Sequence, residues 1–161
     1  MLILNSGGTF NNRYNPLNAE LEVPYDNNAI ERILQSAHID YDLAGVVYKN
    51  SLDMDMNDRK MLASIIMESK DDTFIIIHGT DTMNITAEFL SEIFDDRKII
   101  LTGSMKPFEI DNVEASLNLG IAIGFIKSNP QNGVYITMNG FVQPCQNIVK
   151  NRVLGKFELV K

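Results

Sequence analysis

Residues 73–82 read TFIIIHGTDT, an apolar run that ends abruptly in short polar side chains. The run does not alternate with polar residues, which is the pattern of a strand buried on both faces of a parallel sheet. Runs of the same character are MLIL (1–4), LAGVVY (43–48), KIILT (98–102) and GVYITM (133–138). The sequence therefore predicts parallel strands, with the HGTDT segment at the carboxyl end of the third.

Apolar residues at helical spacing separate these runs. They cover Ile30–Ala37, Met61–Ile66 and Ile85–Phe94, and a fourth helix is predicted from Asp111, with Glu114 reaching back to complete the cap. The residues of this fourth helix expected to face the core are Val113, Leu117, Ile121 and Phe125.

Repeated strand–helix alternation predicts an α/β fold with a doubly wound, mostly parallel sheet and helices on both faces, a Rossmann-like or flavodoxin-like three-layer arrangement. In such sheets, ligands bind in the crevice at the carboxyl ends of the strands. The segments that follow strands are therefore the candidates for function. The final segment NRVLGKFELVK (151–161) lacks a helical pattern and is expected to be a strand or an extended tail.

The composition narrows the class of protein. A chain of 161 residues, 45% hydrophobic and 22% charged, suits one globular domain. Its net charge of −7 argues against nucleic acid or an anionic membrane as partner. Cys145 is the single cysteine, so a reducing compartment fits. Without a leader pattern, a spanning stretch or metal-ligand spacing, the sequence predicts a cytoplasmic protein with no metal and no cofactor.

The segment after the first strand, NSGGTFNN (5–12), contains adjacent glycines. Gly7 and Gly8 let the backbone turn sharply and approach a ligand closely, which a Cβ would prevent. Thr9 follows at once, so its hydroxyl is expected in the crevice. The Asn-rich stretch 10–25 is typical of a mobile lid. A plain turn followed by a loose surface loop is the alternative interpretation.

Two further strand ends carry serines. Ser51 is a candidate for binding a carboxylate, although capping of the next helix by Asn57 or Asp58 explains that segment as well. Ser104 lies in a Gly-Ser turn after the fourth strand. In HGTDT, one side chain suffices to cap a helix.

We therefore assign Thr80 and Asp81 to chemistry and Thr82 to the helix cap. An aspartate at a helix N-terminus stays ionised because the helix dipole favours the anion. His78 is interpreted as a strand-end histidine whose hydrogen bonds are satisfied internally. Lys150, beyond the fifth strand, is the candidate cation.

These side chains together indicate acyl transfer to water. A hydroxyl that attacks an acyl carbon needs a base for its proton and donors for the oxyanion. A threonine with a Lys150–Asp81 pair supplies the base, and backbone N–H groups of glycine turns supply the donors. The sequence lacks both G-x-x-x-x-G-K-[ST] and G-x-G-x-x-G, so nucleotide binding is not expected.

Four segments together resemble the signatures of the bacterial-type L-asparaginases. ILNSGGTF (3–10) is similar to the T-GGT-I signature, and IIIHGTDTMNITAEFL (75–90) to H-G-T-D-T-M-x-x-T-A-x-x-L. NSLDMDMND (50–58) is similar to the Ser-x-Asp-Met segment, and LTGSMKP (101–107) to the G-[AS]-M-[RK]-P turn.

The resemblance implies catalytic roles for the matching residues. Thr9 would be the nucleophile, while Thr80, Lys150 and Asp81 would form a second Thr-Lys-Asp group whose lysine accepts a proton. The segment QNIVKNR around Lys150 departs from the usual D-V-T-K-T context. For the tyrosine of the family's mobile loop, Tyr14 is the nearest candidate.

Tyr25 is the second candidate for that loop tyrosine. For substrate binding, the resemblance implies that Ser51 and Asp81 hold the α-carboxylate and α-ammonium groups of an amino acid. Gly8 and Ser104 lie in the matched turns and join this binding set.

The implied activity is hydrolysis of the side-chain amide of L-asparagine, or of a related small amide, to the acid and ammonia by a homo-oligomer. The chain (1–161) would correspond to the family's N-terminal domain, and the C-terminal domain, which completes a neighbouring subunit's site, is expected to be absent. Two alternatives stay open: a catalytically weak or inactive amino-acid-binding module, and an ammonia-supplying subunit of amidotransferase type.

Overall fold

A mostly parallel sheet forms the centre of the chain in a computed structural model, which describes residues 1–160. In chain order the strands are β1 (Leu2–Gly7), β2 (Arg13–Asn15), β3 (Glu20–Glu22), β4 (Asp42–Lys49), β5 (Thr73–Ile77), β6 (Lys98–Thr102), β7 (Gly133–Met138), β8 (Phe141–Pro144), β9 (Ile148–Asn151) and β10 (Lys156–Leu159). The main sheet has the order β4-β1-β5-β6-β7-β8, and only β8 of these runs antiparallel to its neighbour. The five parallel strands follow the flavodoxin-like order 2-1-3-4-5.

Helices cover both faces of this sheet, as the sequence predicts. They are α1 (Asn28–Ala37), α2 (Met56–Glu68), α3 (Met83–Ser91) and α4 (Asn112–Lys127). Along β5, Phe74 and Ile76 pack with α2 and α3, while Ile75 and Ile77 pack with α1 and α4. All four side chains are fully buried, because successive residues of a strand point to opposite faces and both faces are covered.

The predicted inner face of α4 is wrong. Val113 is 68% exposed and Leu117 is 55% exposed, whereas Ile121 and Phe125 are half-buried. The residues of α4 that are buried are Ala115, Asn118, Leu119, Ala122, Ile123 and Ile126. Because α4 is apolar on all sides, apolar spacing does not select one face. The small side chains of the alanines let the helix lie close to the sheet.

The structure corrects the predicted cap of α2 and one part of the predicted cap of α4. Asp55, and neither Asn57 nor Asp58, caps α2, and its carboxylate accepts the N–H groups of Asn57 and Asp58. At α4, Asp111 caps the helix as predicted by accepting the Val113 N–H.

The expected partner of Asp111 takes another position. Glu114 does not return to the Asp111 N–H, because its carboxylate accepts the N–H groups of Met105 and Lys106 instead. This contact ties the turn after β6 to the first turn of α4.

Two antiparallel hairpins lie outside the main sheet. The Asn-rich stretch predicted as a lid contains the exposed hairpin β2–β3. The hairpin β9–β10 accounts for the end of the described chain, so the strand interpretation of that segment is confirmed. It is anchored by Phe157, which is buried and whose N–H donates to Asn139 Oδ1 over 2.8 Å. Within residues 1–160, the helices are all too short or too polar to cross a membrane.

Candidate active site

The carboxyl ends of β1, β4 and β5 enclose a cavity of about 230 Å³. The residues that line it are Gly8, Thr9, Asn50, Ser51, Leu52, Asp53, Gly79 and Asp81. This position includes the topological switch point of the sheet, which lies between β1 and β5. The chain passes from β1 outward to β4 and then returns across β1 to β5, so the loops after β1 and β5 leave towards opposite faces of the sheet. The structure thus brings together the segments after the first three parallel strands, as the fold class predicts.

Close contact of glycines lets these three loops meet. Gly8 has a φ of +80°, and a Cβ built on it would lie 2.4 Å from the Cα of Gly79. A Cβ on Gly79 would lie 2.7 Å from both Cβ and Oγ of Ser51. Real Cβ atoms do not approach so closely, so both positions require glycine. The Gly7–Gly8 turn therefore serves loop packing as well as the cavity wall.

A lysine from the hairpin β9–β10 reaches the turn after β5. Lys150 Nζ donates to Thr80 Oγ1 over 2.8 Å and to Asp81 Oδ1 over 2.9 Å. Thr80 is buried, and the Lys150 side chain is only 12% exposed. An ammonium group shielded in this way interacts more strongly with a carboxylate than it would at the surface. The three side chains predicted to act as a Thr-Lys-Asp group are in direct contact.

Ser51 connects the second loop to the third. Its Oγ accepts the N–H of Asp81 over 3.1 Å, and its carbonyl accepts the Thr82 hydroxyl over 2.7 Å. The predicted cap by Thr82 is therefore wrong, since its hydroxyl turns to Ser51 and no side-chain cap of α3 is found among the described residues. Thr82 holds the cavity walls together.

His78 has the internal role predicted for it. It is fully buried; Nδ1 lies 2.7 Å from the Gly79 carbonyl oxygen, and Nε2 lies 2.8 Å from Thr86 Oγ1. The pKa of His78 is lowered to about 4, chiefly because burial disfavours the charged ring. The charge of Arg59 also lowers this pKa, whereas the hydrogen bond to Gly79 acts to raise it. The ring is thus neutral at ordinary pH, with Nδ1 donating to the carbonyl.

Three other candidates lie away from the cavity. The Ser104 hydroxyl donates to the Lys106 carbonyl over 2.6 Å. Tyr14 is 53% exposed on β2, and Tyr25 is 85% exposed with its ring centroid 5.5 Å from that of Tyr48. Among residues 1–160 the cavity wall includes none of the three, so their functional roles stay predictions.

The structure adds two arginines that the sequence interpretation missed. Arg152 Nη2 donates to the Asp81 carbonyl over 3.0 Å. Arg59 is buried behind the cavity on α2, where its Nε donates to Thr86 Oγ1 over 3.1 Å. The sequence does contain an indication that Arg59 is buried. The residue precedes Leu62 and Ile66 at helical spacing, which places it on the inner face of α2.

Among residues 1–160, no cluster of three His, Cys, Asp or Glu side chains could hold a metal ion. The polar side chains that line the cavity carry hydroxyls, carboxylates and the amide of Asn50, and Lys150 contacts Asp81 beside it. This set can bind an amino acid and supply a hydroxyl nucleophile.

Comparison with known proteins gives a family match along most of the chain. The family model described as "Asparaginase, N-terminal" matches residues 1–155. A glutaminase-asparaginase of Pseudomonas fluorescens biotype A is 37% identical over 89 residues, 53% of this chain and 25% of the relative. L-asparaginase 2 of Escherichia coli is 33% identical over 110 residues, 65% of this chain and 32% of the relative.

A third relative has a different description. This protein of Methanococcus maripaludis, one of the subunits of a glutamyl-tRNA(Gln) amidotransferase, is 30% identical over 144 residues, 86% of this chain and 34% of the relative. The chain therefore spans about a quarter to a third of the length of these curated relatives.

Among solved structures, the thermostable L-asparaginase from Thermococcus kodakarensis superposes with a TM-score of 0.86. The match covers 99% of this chain and 50% of that one, at 23% sequence identity. A probable cytoplasmic L-asparaginase from Campylobacter jejuni superposes with a TM-score of 0.78 at 24% identity. Both likenesses show the fold.

Proposed function

The chain belongs to the asparaginase family, and from this premise we propose that it hydrolyses the side-chain amide of L-asparagine, or of a related small amide, to the acid and ammonia. The observation that carries the proposal is the contact of Lys150 with both Thr80 and Asp81, beside a cavity that Thr9 lines. In this proposal, residues 1–161 act as the N-terminal α/β domain of a cytoplasmic, homo-oligomeric hydrolase.

Thr9 is the proposed nucleophile. Its oxygen attacks the amide carbon, and the tetrahedral intermediate collapses as the C–N bond breaks and ammonia leaves with the proton of the hydroxyl. Water then attacks the resulting ester, which releases the acid and restores Thr9. The N–H groups of Gly7 and Gly8 already donate to Asn5 Oδ1 and to the Lys49 carbonyl, so the proposed donor for the developing oxyanion is another backbone N–H of the cavity wall.

Lys150 is the proposed proton acceptor, acting together with Thr80. In its neutral form the amine takes a proton from a hydroxyl, and the Asp81 carboxylate stabilises the ammonium group that forms. The short Nζ–Oγ1 distance of 2.8 Å supports this assignment. The shielding of the lysine from solvent strengthens the effect of the carboxylate.

Ser51 and Asp81 are the proposed binding groups for an α-amino acid. Asp81 Oδ1 accepts from Lys150, and the second carboxylate oxygen is available to an α-ammonium group. The Ser51 hydroxyl lines the cavity and can donate to an α-carboxylate, because it accepts its own hydrogen bond from the Asp81 N–H. A cavity of about 230 Å³ suits a small amino acid. The hairpin β2–β3 with Tyr14 is the proposed lid.

A second candidate function is supported by the relative that belongs to an amidotransferase. Its match covers 86% of this chain, more than the match to L-asparaginase 2. A protein of this second kind would release ammonia to a partner protein and not to solvent. Ammonia release by the isolated chain on free L-asparagine separates the two functions, because an ammonia-delivering protein needs its partner.

The test is ammonia release from L-asparagine, L-glutamine and a panel of small amides, with Thr9→Ala and Thr80→Val measured alongside. The proposal expects release by the wild-type chain and its loss in both variants. Release that persists in Thr9→Ala would contradict the nucleophile assignment. Calorimetric binding of L-aspartate without any release would favour a binding module.

A further inference from the structure

Arg59 is a buried cation whose position the proposed chemistry does not explain. It is 5% exposed, and its guanidinium donates to two neutral oxygens, Thr86 Oγ1 over 3.1 Å and the Met54 carbonyl over 3.2 Å. Buried arginines are usually paired with carboxylates, because removing the charge from water is costly. An arginine placed against neutral acceptors imposes direction on them, since a guanidinium only donates.

The direction passes from Arg59 through Thr86 to His78. The Arg59 N–H takes a lone pair of Thr86 Oγ1, which leaves the hydroxyl proton to point elsewhere. Thr86 Oγ1 lies 2.8 Å from His78 Nε2. The neutral ring carries its one proton on Nδ1, against the Gly79 carbonyl, so Nε2 is unprotonated and the Thr86 hydroxyl donates to it.

The Gly79 carbonyl fixes this tautomer. It lies 2.7 Å from His78 Nδ1, and a carbonyl oxygen only accepts. The Gly79 carbonyl therefore fixes the proton on Nδ1, and Arg59 and Thr86 complete the chain of hydrogen bonds by supplying a donor to Nε2. Arg59, Thr86 and His78 are all at least nine-tenths buried, which protects these bonds from competition by water.

The hydrogen bond between His78 Nδ1 and the Gly79 carbonyl fixes the plane of the peptide between Gly79 and Thr80, where the candidate catalytic turn begins. The peptide between Gly79 and Thr80 is trans, so its N–H and C=O point to opposite sides of one plane. A carbonyl held against His78 turns the Thr80 N–H away from the ring. The same plane sets the directions in which the Thr80 and Asp81 side chains leave the backbone, and hence their contact with Lys150.

We propose that Arg59 and Thr86 are positioning residues, which orient the Gly79–Asp81 turn through His78. The role rests on the proposed amidase function for its effect on rate, but the hydrogen-bond chain stands on geometry alone. Through the Met54 carbonyl, Arg59 also holds the segment after Ser51–Asp53, so one guanidinium supports two walls of the cavity.

The matched variants are Thr86→Val, which keeps the shape of the side chain and removes the hydroxyl, and Thr86→Ser, which keeps the hydroxyl. Arg59→Met removes the donor, and Lys60→Met, one residue along α2 and exposed, is its control. Ile66→Val is a control for destabilisation alone, because Ile66 is buried on the same helix and outside the hydrogen-bond chain.

The first readout is the ¹⁵N NMR signature of the histidine ring, recorded with His38→Asn so that one histidine remains. His38 caps α1 in a left-handed conformation that asparagine tolerates. We expect protonated Nδ1 and unprotonated Nε2 in this background and with Thr86→Ser. Thr86→Val and Arg59→Met should change the ¹⁵N shift of Nε2, which loses its hydrogen-bond donor, and should shift the Thr80 amide resonance. Lys60→Met and Ile66→Val should retain both signals.

The second readout is the effect of each variant on kcat compared with its effect on KM. A misplaced catalytic group costs up to about 100-fold in rate, so Thr86→Val and Arg59→Met should both lower kcat by about 10- to 100-fold. KM should change by less than about threefold in Thr86→Val and should rise further in Arg59→Met, which also releases the segment after Ser51–Asp53. Thr86→Ser should recover most of kcat. Ile66→Val should lower Tm without lowering kcat.

Each outcome decides the proposal. A proton on Nε2 in the wild-type ring would overturn it whatever the activity. An unchanged Nε2 shift, Thr80 amide and kcat in Thr86→Val would overturn it as well. If the wild-type chain releases no ammonia, the amidase proposal fails, and the Nε2 shift and Thr80 amide of the variants still decide whether the chain of hydrogen bonds orients the turn.

Discussion

Lys150 Nζ lies 2.8 Å from Thr80 Oγ1, although the two residues are 70 positions apart in the chain. The lysine belongs to β9, where it is opposite Phe157 of β10 in the antiparallel register. Phe157 is buried in the core cluster that residues of α3 and of the sheet form. The hairpin is therefore fixed by its apolar side, and this holds the lysine over the end of β5.

Replacing Lys150 tests its role as proton acceptor. Lys150→Met should lower ammonia release from L-asparagine at least about 100-fold, because general acid–base groups contribute about 10²- to 10⁴-fold. Lys156→Met, on the exposed side of the same hairpin, should remain within about twofold of wild type. A Lys150→Met variant with near-normal kcat would show that another group takes the proton.

The two serines assigned to substrate binding should behave differently. Ser51 lines the cavity, whereas the Ser104 hydroxyl is bound to the Lys106 carbonyl. A hydrogen bond to a charged group contributes about 1.5–3 kcal/mol, so Ser51→Ala should raise KM for L-asparagine by about 10-fold or more. Ser104→Ala should leave KM nearly unchanged. Equal effects in steady-state kinetics would contradict the placement of Ser51 as the binding serine.

Two glycine substitutions should have opposite effects on stability. Gly79→Ala places a Cβ 2.7 Å from the Ser51 side chain and 2.9 Å from the Ser51 N–H nitrogen, so it should lower the free energy of unfolding by about 1–3 kcal/mol as overpacking does. A Cβ on Gly120 of α4 would meet nothing within 4 Å apart from its chain neighbours and the backbone of its own helix, so Gly120→Ala should stabilise by up to about 1 kcal/mol. Urea denaturation measures both, and a neutral Gly79→Ala would contradict the close packing of the loops.

The buried histidine should make stability depend on pH. The pKa of His78 is lowered from 6.5 to about 4 in the folded chain, so below pH 6.5 the unfolded chain binds a proton that the folded chain does not. Stability is thus complete above pH 6.5 and is lost as the pH falls through about 4. At 1.36 kcal/mol for each unit of pKa, the loss is about 3 kcal/mol.

Urea denaturation between pH 7 and pH 4.5 checks this expectation. His78→Gln should be less stable at pH 7 and should lose most of the slope in this range. His38→Asn should keep the slope, because His38 is exposed. A wild-type free energy of unfolding that stays constant from pH 6.5 to 4.5 would contradict the neutral, buried ring.

The strands of the main sheet are predictable from the sequence because a doubly covered strand must be apolar throughout. TFIII and KIILT each coincide with one strand, β5 and β6. The inner face of α4 is not predictable in this way, since residues such as Leu117 and Leu119 offer equally apolar faces and only packing on the sheet selects Leu119. The cap at Thr82 fails for a similar reason, because its hydroxyl finds a tertiary acceptor.

The candidate site is predictable as a set of strand-end loops, but its contacts are not. Thr9, Ser51 and Asp81 follow strands whose carboxyl ends must meet at one edge of the sheet. The contact of Lys150 with Thr80 joins residues that are 70 positions apart and depends on how the hairpin β9–β10 docks, so spacing alone does not determine it. The burial of Arg59 is missed because charged side chains on a helix are usually exposed to solvent, even when their spacing matches that of the buried apolar residues.

The measurement that tests the central proposal most directly is the location of the acyl group during turnover. The chain is mixed with L-asparagine, quenched rapidly in acid, digested and analysed by mass spectrometry. The expected result is an aspartyl ester on the peptide that contains Thr9, lost in Thr9→Ala. An ester on Thr80, or ammonia release with no ester on Thr9 even when Lys150→Met slows later steps, would contradict the account.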